Sequence, residues 1–149
     1  MILLSKWLHL STSESCTGGL ITHRLTNVPG SSDYLERTIV VYSDKAKKEL
    51  LKVPASILKR HGAVSKEVAE SMAKGVKSLS KTTFGLAITG IAGPAGGTSG
   101  KPVGTVFISF SHKRQVITQK CSFYGDREQI KFMTSQYALD VLRKYLIKN

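Results

Sequence analysis

Acidic residues are scarce in this chain. Ten Asp and Glu stand against 22 Lys and Arg among 149 residues, a formal net charge of +12 with a pI near 9.9. Between Glu70 and Asp126 there is no acid at all, so that stretch cannot supply clustered carboxylates to a hard cation. Cysteine is limited to Cys16 and Cys121, without CxxC spacing, which excludes a disulfide scaffold or a zinc-ribbon pattern and points to a reducing compartment. The four histidines, His9, His23, His61 and His112, lack HExxH spacing, and no metal site is expected. No apolar run approaches the ~20 residues of a membrane span. Residues 1–7 lack the charged lead, long apolar stretch and cleavage site of a signal peptide, so a cytoplasmic location without membrane contact is expected. Aromatics amount to 7% and are not interleaved with the basic residues, and no five-residue basic run occurs. A base-stacking platform is thereby disfavoured, and the scattered lysines are expected to lie on solvated faces.

What remains is ordinary globular composition, with 41% hydrophobic residues and a mean hydropathy of −0.07. The length predicts one domain over residues 1–149, with a sizeable core. Residues 8–13 read as a strand that passes through Glu14-Ser15-Cys16-Thr17-Gly18-Gly19 into a helix with Leu20, Ile21 and Leu25 on one face. The β-branched run at residues 38–42 predicts a buried strand, and Ser43 or Asp44 can cap a helix reaching about Lys52. Ser65 opens a helix with Val68, Met72, Val76 and Leu79 at helical spacing. Residues 84–89 form a further strand, and residues 105–110 and 116–123 a hairpin. Asp126, with Gln129 as capping-box partner, opens a last helix whose predicted stripe is Ile130, Met133, Tyr137, Val141, Leu142 and Tyr145. Alternation in the first half implies parallel crossovers, and the hairpin forces antiparallel pairing in the second. An α/β fold follows: a three-layer α/β/α sandwich with a mixed sheet.

Four segments can carry chemistry. Ser15 stands at a strand-to-helix turn, where unpaired backbone N–H groups can hold an anion or an oxyanion. The same residues equally suit a helix cap with a tight glycine turn. Its neighbour Cys16 reads as a small buried thiol. Lys47 precedes Leu50 and Leu51 by three and four residues, which places it on the inward face of its helix. Burial and the positive helix end would lower its pKa and make it a general base; a side chain snorkelling past Leu51 is the alternative. The loop from Thr89 to Pro102 fails the P-loop pattern at Ala95 and Pro102, and the dinucleotide fingerprint at Ala92. It is either a backbone cradle for a ligand or a flexible connection. Arg127 in the first turn of a helix runs against the preference for acids there, so it either meets an anion or pairs with Glu128 or Asp126.

Together these segments resemble the CinA C-terminal-domain family, whose active members are PncC-type nicotinamide-nucleotide amidases. The matching motifs are Glu14-Ser15-Cys16-Thr17-Gly18-Gly19, Val28-Pro29-Gly30-Ser31-Ser32, Tyr42-Ser43-Asp44 with Ala46-Lys47, and His61-Gly62-Ala63-Val64-Ser65. Thr89-Gly90-Ile91-Ala92-Gly93-Pro94, Lys101-Pro102-Val103-Gly104-Thr105-Val106 and Gly125-Asp126-Arg127 follow in the same order. The resemblance implies a mixed sheet of about five strands, one antiparallel to the rest. It implies hydrolysis of nicotinamide mononucleotide to nicotinate mononucleotide and ammonia, with no metal or organic cofactor. Carried over, Ser15 is the nucleophile, Lys47 the base, and Tyr42 the residue that relays or orients the proton. Thr17, Gly18, Gly19, Thr89, Gly90, Gly93 and Arg127 would bind the pyridine mononucleotide, and a homo-oligomer is expected. A non-catalytic nucleotide-binding module is the alternative. Two departures bear on the site. Asp44 stands where the family usually has Asn and would raise the pKa of Lys47; Lys45 stands where Glu is usual and is placed to pair with Asp44.

Overall fold

The computed structural model describes Leu3 and residues 8–148. The other residues of the 1–7 stretch, including most of the apolar start, lie outside the described residues. Five strands, β1 (Leu10–Glu14), β2 (Leu35–Val40), β3 (Phe84–Gly90), β4 (Thr105–His112) and β5 (Gln115–Ser122), form one sheet in the order β2-β1-β3-β4-β5. β1 runs parallel to both β2 and β3, while β4 is antiparallel to β3 and β5, so β4 alone opposes the rest.

Five helices cover the two faces: α1 (Leu20–Thr26), α2 (Asp44–Leu51), α3 (Ala55–His61), α4 (Lys66–Ser80) and α5 (Arg127–Lys148). One core gathers Ile21 of α1 and Ile130 and Leu142 of α5 against Leu86, Ile88 and Phe110 of the sheet. The other gathers Leu51 of α2, Leu58 of α3 and Val68, Met72 and Val76 of α4 against Ala87. Strand alternation is visible within β3: Leu86 and Ile88 serve one layer and Ala87 the other. The sheet is the middle layer of three, and the mixed α/β sandwich expected from the sequence is what the chain forms.

Local capping explains most helix starts. Ser43 Oγ accepts the Ala46 N–H at 3.1 Å, and Ser65 Oγ accepts that of Val68 at 3.3 Å. Asp126 and Gln129 make the reciprocal capping box, both bonds at 2.8 Å. Gly75 lets α4 come close to α2, since a Cβ there would collide with the Leu51 carbonyl. This contact sets α2, and Lys47 with it, against the sheet.

Four details differ from the sequence expectation. β2 begins at Leu35, and as an edge strand it is half open to solvent, with Val40 49% exposed. Its polar Glu36 and Arg37 hide that first half from an apolar count. α3 follows Pro54 and carries one buried residue, Leu58, too few for a periodic signal. Leu79 of α4 is exposed. The buried line of α5 runs Ile130, Thr134, Ala138, Leu142, Leu146. It passes through small and polar residues, so the larger Tyr137, which is exposed, drew the expected stripe off that line.

Candidate active site

The site forms where β1 and β3 end side by side. The Ser15 N–H donates to the Ile88 carbonyl at 3.1 Å, and the Val41 N–H to the Glu14 carbonyl at 2.9 Å. The sheet ladder therefore extends just far enough to bring residues 15 and 41–42 together. Ser43 then starts α2, and its first turn delivers Lys47.

Lys47 is only 1% exposed, the largest fully buried side chain among the described residues. Its Nζ lies 3.3 Å from Ser15 Oγ and 3.1 Å from the Tyr42 carbonyl oxygen, to which it donates. Burial lowers the Lys47 pKa below its ordinary 10.5, and the Asp44 carboxylate, 3.9 Å from Nζ, works against that shift. Lys45 does not neutralise Asp44 as its position suggested; it reaches one turn on to Glu49, at 3.8 Å. Of Leu50 and Leu51, only Leu51 is buried beside Lys47.

Glu14, to which sequence reasoning gave no role, organises the turn around Ser15. Its carboxylate is buried and accepts five bonds. The Thr17 hydroxyl (2.7 Å) and the Gly19 and Ile21 N–H groups (both 3.1 Å) bond Oε2; the Thr22 N–H (2.8 Å) and hydroxyl (2.7 Å) bond Oε1. Gly19, at the start of α1, offers no side chain to cap it. The preceding strand supplies the cap instead, and charge-assisted bonds of this kind fix geometry strongly. An acid at a strand end before a helix with no capping side chain was the available signal.

Three residues expected to bind substrate have groups engaged within the chain. The Thr17 hydroxyl is committed to Glu14, the Gly19 N–H likewise, and the Gly18 N–H to the Ser15 carbonyl at 3.1 Å. The N–H groups of Cys16 and Thr17 are bonded to no other residue among the described ones. Cys16 is held as the thiol: burial pushes its pKa up to about 12.

A cavity of about 280 Å³ opens over Ser15 and Lys47. Tyr42, Thr89, Gly90, Gly93 and Arg127 line it, and so do Asp44, Ala63 and Val64; Thr17, Gly18 and Gly19 do not. The Thr89 hydroxyl donates to the Ala63 carbonyl at 2.8 Å, tying the end of β3 to the loop between α3 and α4. Gly90 is required there, because a Cβ would press on Val106 and on the Cys16 sulfur. Arg127 makes no ion pair with Asp126 or Glu128. Its guanidinium instead donates to the Gly93 carbonyl and, at 2.9 Å, to the Tyr42 hydroxyl. Tyr42 thus meets Lys47 through its carbonyl and Arg127 through its ring hydroxyl. Among the described residues no group of His, Cys, Asp or Glu is arranged to hold a metal ion. No described helix is long and apolar enough to cross a membrane.

The model of the CinA C-terminal domain matches residues 1–146. The chain belongs to the CinA C-terminal domain family. A CinA-like protein of Syntrophus aciditrophicus is 54% identical over 146 residues, covering 97% of this chain and 35% of the relative. A CinA-like protein of Geotalea uraniireducens is 51% identical over 138 residues, covering 93% and 33%. The chain spans about a third of the length of these relatives. Among solved structures, a CinA superfamily protein from Klebsiella pneumoniae superposes with a TM-score of 0.95 at 33% identity, covering 99% of this chain and 92% of that one. The competence/damage inducible protein CihA of Agrobacterium tumefaciens gives 0.92 at 39% identity, covering 95% and 87%. The CinA fold accounts for the mixed sheet, including the single opposed strand.

Proposed function

We propose that this CinA domain is an amidohydrolase that converts nicotinamide mononucleotide to nicotinate mononucleotide and ammonia. The observation that carries the reading is the buried Lys47 amine 3.3 Å from Ser15 Oγ at the base of a cavity. A serine hydroxyl is a weak nucleophile and an amide a poor electrophile, so an adjacent base and a site for the oxyanion are both needed.

Neutral Lys47 takes the Ser15 proton as Oγ bonds to the carboxamide carbon. The oxyanion accepts from the Cys16 and Thr17 N–H groups. Collapse breaks the C–N bond, and the leaving nitrogen takes the proton from Lys47 to depart as ammonia. Water then attacks the Ser15 ester, giving a proton to Lys47, which returns it to Oγ as the acid leaves. Tyr42 acts as a positioning residue, its carbonyl orienting the Lys47 amine and its hydroxyl holding Arg127. Arg127 keeps three of its five N–H donors for the phosphate after its two internal bonds.

Asp44 at 3.9 Å from Nζ favours a charged lysine, which is the observation behind a second reading, a nucleotide-binding module without turnover. Incubation of purified protein with nicotinamide mononucleotide separates the two. Ammonia and nicotinate mononucleotide in equal amounts support the amidase. A nucleotide-induced rise in Tm with neither product supports the module and overturns the amidase.

A further inference from the structure

A second concavity, of about 620 Å³, lies at the opposite end of the sheet, between the C-terminal end of α4 and the β4–β5 turn. Lys74, Lys77 and Lys81 enter it from α4 and the residue that follows the helix, and Lys113 and Arg114 from the turn. Sequence placed these cations up to 40 residues apart and read them as scattered; the register Phe84 opposite His112 brings them onto one surface. We propose that this concavity binds a compact polyanion of the oligophosphate class.

None of the five cations is paired with a carboxylate among the described residues, and the acid-free stretch from Glu70 to Asp126 explains why. Lysines near a helix C-terminus often serve its free carbonyls, yet here those carbonyls have other donors. The Lys81 and Thr82 N–H groups take those of Ser78 and Lys77, and Arg37 takes that of Leu79. The Lys113–Arg114 turn has no helix end to serve at all. Lys77 Nζ, donating to the Lys113 carbonyl at 3.0 Å, ties the two elements into one frame. The nearby His112 feels the same field, its pKa lowered by burial and then by Lys113 and Lys77. Converging cations raise the local concentration of a multivalent anion far more than dispersed ones do. Arg114 adds a fork that fits phosphate oxygens. No aromatic side chain lines the concavity, so bases would find nothing to stack on, which favours a ligand recognised by phosphate alone.

The test is calorimetric titration of the whole chain with inorganic tripolyphosphate at low salt. The triple variant Lys74→Gln/Lys81→Gln/Arg114→Gln, all exposed positions, is expected to weaken binding at least about tenfold. A variant with the same charge change elsewhere, Lys45→Gln/Lys59→Gln/Lys120→Gln, should stay within about twofold. The same titrations in an Arg127→Gln background remove the phosphate site proposed at the Ser15 cavity, so the loss read there belongs to this concavity. Backbone amide shifts in the wild type should move at Ser78, Lys113 and Arg114. Equal losses in both triple variants would mean a diffuse field and overturn the site, as would no binding at all. A short DNA duplex that binds more tightly than tripolyphosphate and depends on the same three residues would overturn the compact ligand in favour of nucleic acid.

Discussion

Where β1 and β3 end, the chain withdraws one lysine from water and ties it to a serine hydroxyl and a carbonyl oxygen. Where β3 begins, it leaves five cations around one concavity with no carboxylate beside them. Both are positive sites on the same sheet, but solvent treats them differently. A buried amine feels burial as a penalty on its charged form and moves toward the neutral base. An exposed ammonium keeps its charge and acts through its field, which salt screens over about 10 Å. The placement of a cation, more than the count that gives +12, decides whether it can do chemistry or attract an ion.

The contrast can be broken most severely at Lys47. Lys47→Met keeps the packing volume but removes the base, so ammonia release should fall at least about 10²–10⁴-fold. Tm should hold or rise, since a desolvated amine is lost. The pH dependence follows from the same burial. The unfolded chain holds the lysine proton up to about the ordinary 10.5, while the folded chain gives it up earlier. Between the two values the unfolded state binds more protons, so the lysine's contribution to stability grows with pH there. It is fully present above 10.5 and lost as pH falls through the folded value. Activity should rise with pH along the same limb. A wild-type Tm that did not gain on Lys47→Met as pH rises would contradict this.

Arg127 sits between the two extremes, exposed yet held by Gly93 and Tyr42. Arg127→Gln should raise KM for nicotinamide mononucleotide roughly 10–100-fold, the range expected for a charge-assisted bond. The phosphate-free nucleoside should be affected little. An equal effect on both would remove the phosphate role. The smallest change expected is at Asp44, whose carboxylate is 59% exposed and hence well screened. Asp44→Asn should move the acid limb of the pH–rate profile to lower pH and raise the neutral-pH rate about twofold.

Much of this was legible in the residues. The Ser43, Ser65 and Asp126 caps, the hairpin and the inward face of α2 follow from local spacing. That Ser15, Lys47 and Arg127 share one site was implied by the family resemblance, not by spacing, and all three line one cavity. What stayed hidden was non-local. Glu14 reads as a plain acid until α1 folds back and presents its N–H groups to it. That clamp engages the Thr17 hydroxyl and the Gly19 N–H, while the Cys16 and Thr17 N–H groups are bonded to no other described residue. Tyr42 shares its backbone with one partner and its ring with another, which no spacing announces. The cations of the second concavity become neighbours only through the β3–β4 register.

The central claim is that Ser15 forms the acyl-enzyme with Lys47 as its base. Its most direct test is the initial rate of ammonia release from nicotinamide mononucleotide by wild type, Ser15→Ala and Cys16→Ala, with circular dichroism on the same samples. The account predicts that Ser15→Ala folds and releases no ammonia above the blank, while Cys16→Ala retains activity. Ammonia release unchanged in folded Ser15→Ala would contradict it.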